Sequence, residues 1–280
     1  MEYIAAKDPD EVTAALADGD TVVLAGGQSL VLDVTNHALC PARVVDINAV
    51  AEFELLTETE GVLRAGPLVR HRTFESDAVG GALGAMLRTV VRHIGHPPIR
   101  ARGTMAGSLA YAHPAAEWPV LAVILGAELE LVTERGRRTV PAERFFTGSF
   151  TTVRRPDELL AEVRLPLLPA GTGAGFAEHR PARAKFAETA AMAAVTVVDG
   201  LITTALIGLV NAGPCPVRAR AAEQVLRGAP FSDAAIRAAA EAAAELDADL
   251  SALPAGDRPA KQRAVRMLTR RALTQAREGL

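Results

Sequence analysis

Two segments of this 280-residue chain place small residues and hydroxyls where main-chain amides, not side chains, could do chemistry: LAGGQSL over residues 24–30 and GTMAGS over residues 103–108. In the first, an apolar run leads straight into Gly26 and Gly27 and then polar Gln28 and Ser29. Adjacent glycines allow torsions that aim successive N–H groups into one concavity and leave room for a phosphate. Each such charge-assisted bond is worth roughly 1.5–3 kcal/mol net of water, so four or five could hold a diphosphate without a cation. A tight strand-exit turn is the plain alternative for this segment alone. The second segment adds the hydroxyls of Thr104 and Ser108, with Arg100 and Arg102 just upstream. Neither segment has the spacing of a P-loop or a Rossmann fingerprint.

Other chemistry-bearing groupings carry less. The glycine runs at Gly80 and Gly171 lack a preceding apolar strand and read as turns or helix packing. His93, His96 and His113 do not assemble a ligand set, since His93 and His96 sit three apart beside Pro97 with no fourth ligand in view. Ser29 and Ser108 lie in glycine turns, but no G-x-S-x-G elbow exists and no histidine is tied to either. Cys40 and Cys215 are too few and too far apart for a redox pair, a zinc site or an iron–sulfur cluster, so any cluster must belong to another chain.

The elements that must position the two segments follow from periodicity. Acidic residues early and apolar residues at helical spacing predict a helix over 8–16; strands are expected over 21–25 and 43–47. Together these form a small α/β unit ending near Asn48. A hairpin is expected over 55–65 with TETEG as its turn, then a helix over 80–94, the segment 100–111, an apolar run over 120–125, and a hairpin of 128–133 with 138–141 around Gly136. Pro166, Pro169, Gly171, Gly173 and Gly175 concentrate turn formers and mark the expected linker. Beyond it, 191–198 and 201–210 flank an Asp199-Gly200 hairpin turn, and helices are expected over 219–226, 232–246 and 261–277.

At 49% hydrophobic and 22% charged residues the composition is ordinary for a folded protein, and the length allows two or three compact units. A net charge of −3, with no long basic stripe interleaved with aromatics, argues against nucleic acid as a partner. The first ten residues carry Glu2, Lys7, Asp8 and Asp10 where a secretory signal would be basic and then apolar, so the expected location is cytoplasmic. The most apolar stretches fall short of the ~20 residues of a spanning helix.

LAGGQSL, together with HPPIRARGTMAGSLAYAHPAAEWP over residues 96–119, resembles the two flavin-binding signatures of the FAD-binding medium subunit of molybdenum hydroxylases, the family of carbon monoxide dehydrogenase medium chains and xanthine dehydrogenase flavin domains. FFTGSFTTVRRPDELLAEVRLP over residues 145–166 resembles the end of that FAD domain, and NAGPCPVRARAAEQVLRG over residues 211–228 its C-terminal domain. The resemblance implies an α+β fold. A two-subdomain FAD-binding domain would occupy residues 1–168, as a small α/β unit over about 1–50 and a mixed antiparallel-sheet unit over 51–168, and an antiparallel sheet with helices would occupy residues 174–280. It implies FAD as cofactor, with Ala25, Gly26, Gly27, Gln28 and Ser29 as the first diphosphate loop and Thr104, Met105, Ala106, Gly107 and Ser108 as the second. Glu117 falls at a carboxylate that hydrogen-bonds the ribityl or ring region, Leu160 at a position near the flavin, and Lys185 is taken with them at its outer edge.

The implied role is an oxidoreductase subunit that relays electrons from iron–sulfur clusters to an acceptor. Its expected partners are a molybdopterin-containing large subunit and a 2Fe-2S small subunit, with NAD, a quinone, oxygen or a protein taking the electrons. No residue of this chain need act as a general acid or base in that scheme, and the substrate is chosen elsewhere. The chain departs from the family pattern in several places. Ala106 stands at the first glycine of the usual T-I-G-G, which costs about 1 kcal/mol if that backbone needs positive φ. His113 replaces an Asp or Ser, and Glu178 and Lys185 exchange the charges found around residues 176–187 in most relatives. These departures motivate two alternatives: a free-standing FAD enzyme acting on a small molecule, with His113, Glu178 or Lys185 beside the ring, and a scaffold that has lost FAD.

Overall fold

The computed structural model describes residues 1–182 and 185–280. In chain order these form β1 (Glu2–Ala5), α1 (Pro9–Ala17), β2 (Thr21–Leu24), α2 (Leu30–Thr35), β3 (Arg43–Asp46), β4 (Leu56–Thr59) and β5 (Val62–Ala65). Then follow α3 (Gly81–Val91), α4 (Pro97–Arg102), α5 (Met105–Tyr111), α6 (Glu117–Leu125), β6 (Glu128–Thr133), β7 (Gly136–Pro141), α7 (Ala142–Phe145), β8 (Phe146–Gly148), β9 (Thr151–Thr152) and β10 (Leu159–Pro166). The remainder is β11 (Thr172–His179), β12 (Thr189–Val198), β13 (Leu201–Val210), β14 (Val217–Arg218), α8 (Arg220–Leu226), α9 (Asp233–Ala242) and α10 (Arg258–Glu278). The chain divides into two compact units, each discontinuous in sequence: residues 1–73, 96–112 and 126–166, and residues 74–95, 113–125 and 167–280.

In the first unit a parallel sheet of order β1-β3-β2 and an antiparallel sheet of order β4-β5-β10-β6-β7 share a core. Helix α1 supplies Val12, Ala15 and Leu16 to it, against Val45 and Ile47 of the parallel strand and its exit and Leu159 of β10. That helix starts where the sequence demands: Asp8 caps the Glu11 amide at 2.9 Å, Glu11 returns a carboxylate to the Lys7 amide at 2.8 Å, and Pro9 needs no donor at the first turn. The outcome is a parallel sheet whose carboxyl edge carries the exits of β2 and β3, the edge at which such sheets present ligand sites.

In the second unit the sheet β11-β12-β13-β14 is antiparallel throughout. Strand β12 is buried along residues 189–196, so its faces are both covered. Ala191, Ala193 and Val195 join α8, α9 and α10 in one core, while on the other face Gly208 of β13 leaves the space that Val120 and Ile124 of α6 occupy. All nine residues of α6 are buried. The π-helical turn Ala243–Asp247 continues α9, and Asp247 caps the Ala221 and Ala222 amides of α8.

Most expected elements are present, and the differences have local causes. The Asp199-Gly200 hairpin forms with φ of 51° and 78°, the torsions of a type I′ turn. The expected linker is shorter than its glycines imply, because β11 begins at Thr172. Gly173 and Gly175 are strand residues on which a Cβ would lie 1.8 Å and 2.0 Å from the carbonyls of Ala276 and Ala272 in α10. Glycine there permits backbone-to-backbone packing and marks no turn. Gly136 is the first residue of β7, paired with Thr133, and the turn is Glu134-Arg135. Strand β1 and the unburied helix α2 carry no amphipathic signal and were not expected. Among the described residues no helix is long and apolar enough to cross a membrane.

Candidate functional site

The first glycine segment is the exit of β2. Gly27 has φ of +72°, which turns the chain into α2, and among the described residues the amides of Gly26, Gly27, Gln28 and Ser29 donate to no protein acceptor. Ser29 precedes α2 without a side-chain cap, and exposed Gln28 folds back to donate to the Gly26 carbonyl at 3.1 Å. Gly26 is buried for a second reason: a Cβ there would lie 2.4 Å from the Arg102 carbonyl oxygen and 2.7 Å from the Gly103 Cα. Its glycine requirement is thus close approach to the second segment, and both segments meet in the first unit.

The second segment starts α5. The Thr104 hydroxyl accepts from the Gly107 amide at 3.0 Å, and buried Met105 donates its amide to the Val69 carbonyl at 3.2 Å. The amides of Thr104 and Ala106 donate to no protein acceptor among the described residues. Ala106 lies inside the helix and is not among the residues with positive φ, so the strain contemplated for it is absent. Thr104, expected as a hydroxyl donor, is buried and serves as a cap.

Residues that sequence reasoning missed hold the two segments together. Asn48, at the exit of β3, donates Nδ2 to the Ala25 carbonyl at 2.9 Å and to Asp46 Oδ1 at 2.5 Å. Its Oδ1 accepts from Arg70 Nη2 at 2.6 Å, and Arg70 Nη1 reaches the Arg102 carbonyl, also at 2.6 Å. Asp46 in turn accepts from the Tyr3 hydroxyl at 2.6 Å. Burial, then the nearby Arg102 charge, lowers the Arg70 pKa. His71 packs against Gly103, where a Cβ would come within 2.6 Å of its Nε2, and burial with the charges of Arg100 and Arg70 depresses its pKa to about 3. It is neutral at physiological pH. The available signal was position: Asn48 and Gly26 both follow parallel strands at their carboxyl ends.

Leu160 lies in the same unit, 4% exposed in β10 beside a bulge, in a strand that packs on α5. Glu117 and Lys185 belong to the second unit. Glu117 opens α6 fully buried, and burial, with the Glu178 charge adding to it, pushes its pKa up to about 8, so it is a neutral acid at pH 7. Glu178 itself is ionised: burial acts to raise its pKa, but hydrogen bonds from His93 Nδ1 at 2.8 Å and from Arg180 outweigh it. The His93 ring packs against Phe176 at a tilt of 36°, and Arg180 also donates to the His93 carbonyl at 2.7 Å. His113 accepts from the Ala115 amide at Nδ1, and its ring stacks on Phe186 at 3.9 Å. Lys185, beside it in sequence, is exposed. Among the described residues no three His, Cys, Asp or Glu side chains form a metal site.

What the first unit presents is a row of unsatisfied amides beside a second pair, where a Cβ at Gly26 or Gly103 would clash and, among the described residues, no carboxylate accepts from the row. Such donors suit an anion with several oxygens, and a diphosphate has the length to use both segments. A dinucleotide cofactor fits that donor set.

Comparison with known proteins identifies the family. Residues 1–168 match the family model described as the FAD binding domain in molybdopterin dehydrogenase, and residues 174–276 match that of the CO dehydrogenase flavoprotein C-terminal domain. The caffeine dehydrogenase subunit beta of Pseudomonas sp. (strain CBB1) is 33% identical over 83% of this chain and 80% of its own length. The nicotine 6-hydroxylase medium subunit of Paenarthrobacter nicotinovorans is 35% identical over 81% and 80%. The fold is similar, with a TM-score of 0.91 and 30% identity over 99% of this chain and 97% of the other, to a chain of the carbon monoxide dehydrogenase from Hydrogenophaga pseudoflava that lacks the Mo-pyranopterin moiety of its molybdenum cofactor. The chain therefore belongs to the FAD-binding flavoproteins of the molybdopterin dehydrogenases, a family of FAD-dependent oxidoreductases.

Proposed function

We propose that this chain is the flavin subunit of a molybdenum hydroxylase complex and that it relays electrons from the iron–sulfur clusters of a small subunit to an acceptor, the substrate being oxidised in a molybdopterin-containing large subunit. The names of its relatives, a beta subunit and a medium subunit, support the assignment to a multi-subunit enzyme. Bound FAD supplies an isoalloxazine able to exchange electrons both singly and in pairs. The chain's own task is to hold and orient it. The FAD-binding part is taken as residues 1–168 and the remainder as the C-terminal domain, 174–280.

One observation carries this reading: the amides of 26–29 and those of Thr104 and Ala106 are free, and the two segments bearing them touch through Gly26 and Arg102. Ala25, Gly26, Gly27, Gln28 and Ser29 with Thr104, Met105, Ala106, Gly107 and Ser108 would hold the diphosphate through main-chain donors. Leu160 would act through packing. No observation favours a free-standing enzyme, since Glu178, one of the residues that motivated it, is held by His93 and Arg180.

The test is the visible flavin band of the purified protein, with chromatography of the denatured supernatant separating FAD from FMN. Gly27→Asp is expected to abolish the band, while Gly27→Ala, which shares the backbone strain of about 1–2 kcal/mol without the charge, retains part of it. Full flavin occupancy in Gly27→Asp would overturn the diphosphate assignment. Co-purification with iron and molybdenum is the expected result for the complex; a lone chain turning over a small molecule would overturn that part.

A further inference from the structure

We propose that Arg70 is the positioning residue that sets the spacing of the two glycine segments, acting through Asn48. The inference rests on the reading of those segments as the diphosphate site and names what holds them in register. A single planar guanidinium bridges two acceptors at 2.6 Å, the Arg102 carbonyl that precedes the second segment and the Oδ1 of Asn48. The same Asn48 holds the Ala25 carbonyl within the first segment. The amide of Asn48 is oriented by Asp46, which receives its main-chain N–H at 2.8 Å and its side-chain N–H at 2.5 Å, and Asp46 is steadied by Tyr3.

The main chain already ties the loop after β5 to the second segment, with the His71 amide donating to the Gly103 carbonyl at 2.9 Å and the Met105 amide to the Val69 carbonyl at 3.2 Å, so the part of the Arg70 side chain is to link that pair to Asn48 and, through it, to the first segment. Direct contact between the segments through Gly26 is steric, so it sets a minimum separation and resists no parting. Arg70 supplies the opposing restraint. The site needs both: amides aimed at one diphosphate lose their value when their spacing drifts by about an ångström. Arginine is suited to the task because its fork fixes two acceptors at once, a geometry that the single ammonium of lysine does not reproduce.

The experiment is FAD binding to the flavin-stripped full-length chain, followed by quenching of flavin fluorescence, for wild type, Arg70→Met, Arg70→Lys, Asn48→Ala and the double variant Arg70→Met/Asn48→Ala. Thermal unfolding of each flavin-free protein runs alongside. Each single variant is expected to weaken FAD binding by about tenfold or more, and the double variant by no more than about threefold beyond the weaker-binding single, because one bridge can be broken only once. Arg70→Lys is expected to behave like Arg70→Met. If Arg70→Met does not fold, Arg70→Lys with Asn48→Ala completes the same cycle.

Three results would overturn the proposal: unchanged FAD affinity in Arg70→Met, additive losses in the double variant, or wild-type affinity restored by Arg70→Lys, which would reduce the residue to a point charge. Lowered unfolding temperatures with unchanged affinity would likewise assign Arg70 to stability alone. Gly27→Asp separates this proposal from the reading beneath it. If Gly27→Asp loses FAD while Arg70→Met does not, the diphosphate site stands without the bridge; if Gly27→Asp keeps FAD, the site itself is misassigned.

Discussion

In the glycine segments of the first unit the groups left to bind a ligand are main-chain amides, and the buried titratable group beside them, His71, is held neutral by a pKa depressed to about 3. In the second unit the conspicuous polar groups are side chains: Glu178 is ionised between His93 and Arg180, and Glu117 is kept neutral by a pKa raised to about 8. The first arrangement depends on where backbone is allowed to go, and substitution is limited by space and torsion. The second depends on charge balance, which can be re-drawn by exchanging residues. In the first arrangement Ala106 sits inside a helix at no torsional cost.

The contrast can be broken by titration. Glu117 has a folded pKa above its unfolded value of 4.5, so its burial destabilises the fold increasingly as pH rises from about 4.5 to about 8 and no further above that. Glu117→Gln is expected to remove that slope, gaining up to roughly 5 kcal/mol relative to wild type at the alkaline end, read from denaturant midpoints across pH. Parallel pH profiles would show that Glu117 is not a buried neutral acid. His71 works in the opposite direction. Its folded pKa lies below 6.5, so the stability it permits is present above that pH and is lost as pH falls toward about 3. Replacing it by Gln should flatten the acid limb over that window by a comparable, roughly 5 kcal/mol, amount; an unchanged limb would contradict its neutral burial.

Smaller effects sharpen the same comparison. Glu178→Gln leaves Arg180 without its carboxylate and should cost about 1–3 kcal/mol at neutral pH, with the loss shrinking as the wild-type carboxylate is protonated in acid. Equal losses at pH 7 and in acid would mean that the ionised pair contributes nothing. Smallest is Ala106→Gly, which supplies the glycine that the sequence resemblance leads one to expect there. Because Ala106 is helical, glycine there should lower stability by roughly 0.5–1 kcal/mol and leave FAD affinity unimproved. Tighter flavin binding in that variant would revive a torsional penalty at Ala106.

The hairpins were legible because their turns carry torsional demands that few residues meet: Asp199-Gly200 and Glu60-Gly61 both adopt positive φ and both join paired antiparallel strands. The glycine segments were legible for a similar reason. Strand β11 was obscured because Gly173 and Gly175 resemble a linker until the partner helix α10 is placed on them. The Arg70–Asn48–Asp46 bridge was not legible, since single polar residues 22 positions apart follow no period and become neighbours only when the exit of β3 meets the loop after β5. Neutral Glu117 was likewise out of reach, as its state is set by what surrounds α6.

The interleaving of the two units bears on any attempt to split this protein. The two family models abut across residues 168 and 174, yet helices α3 and α6 are encoded before that junction and their sheet after it. A truncation at the junction would leave one half with a nine-residue helix whose every side chain needs cover, and the other with a strand bearing an empty notch at Gly208. Neither half is expected to fold alone, and mixing the two pieces is expected to restore the fold only where the buried helix is handed across.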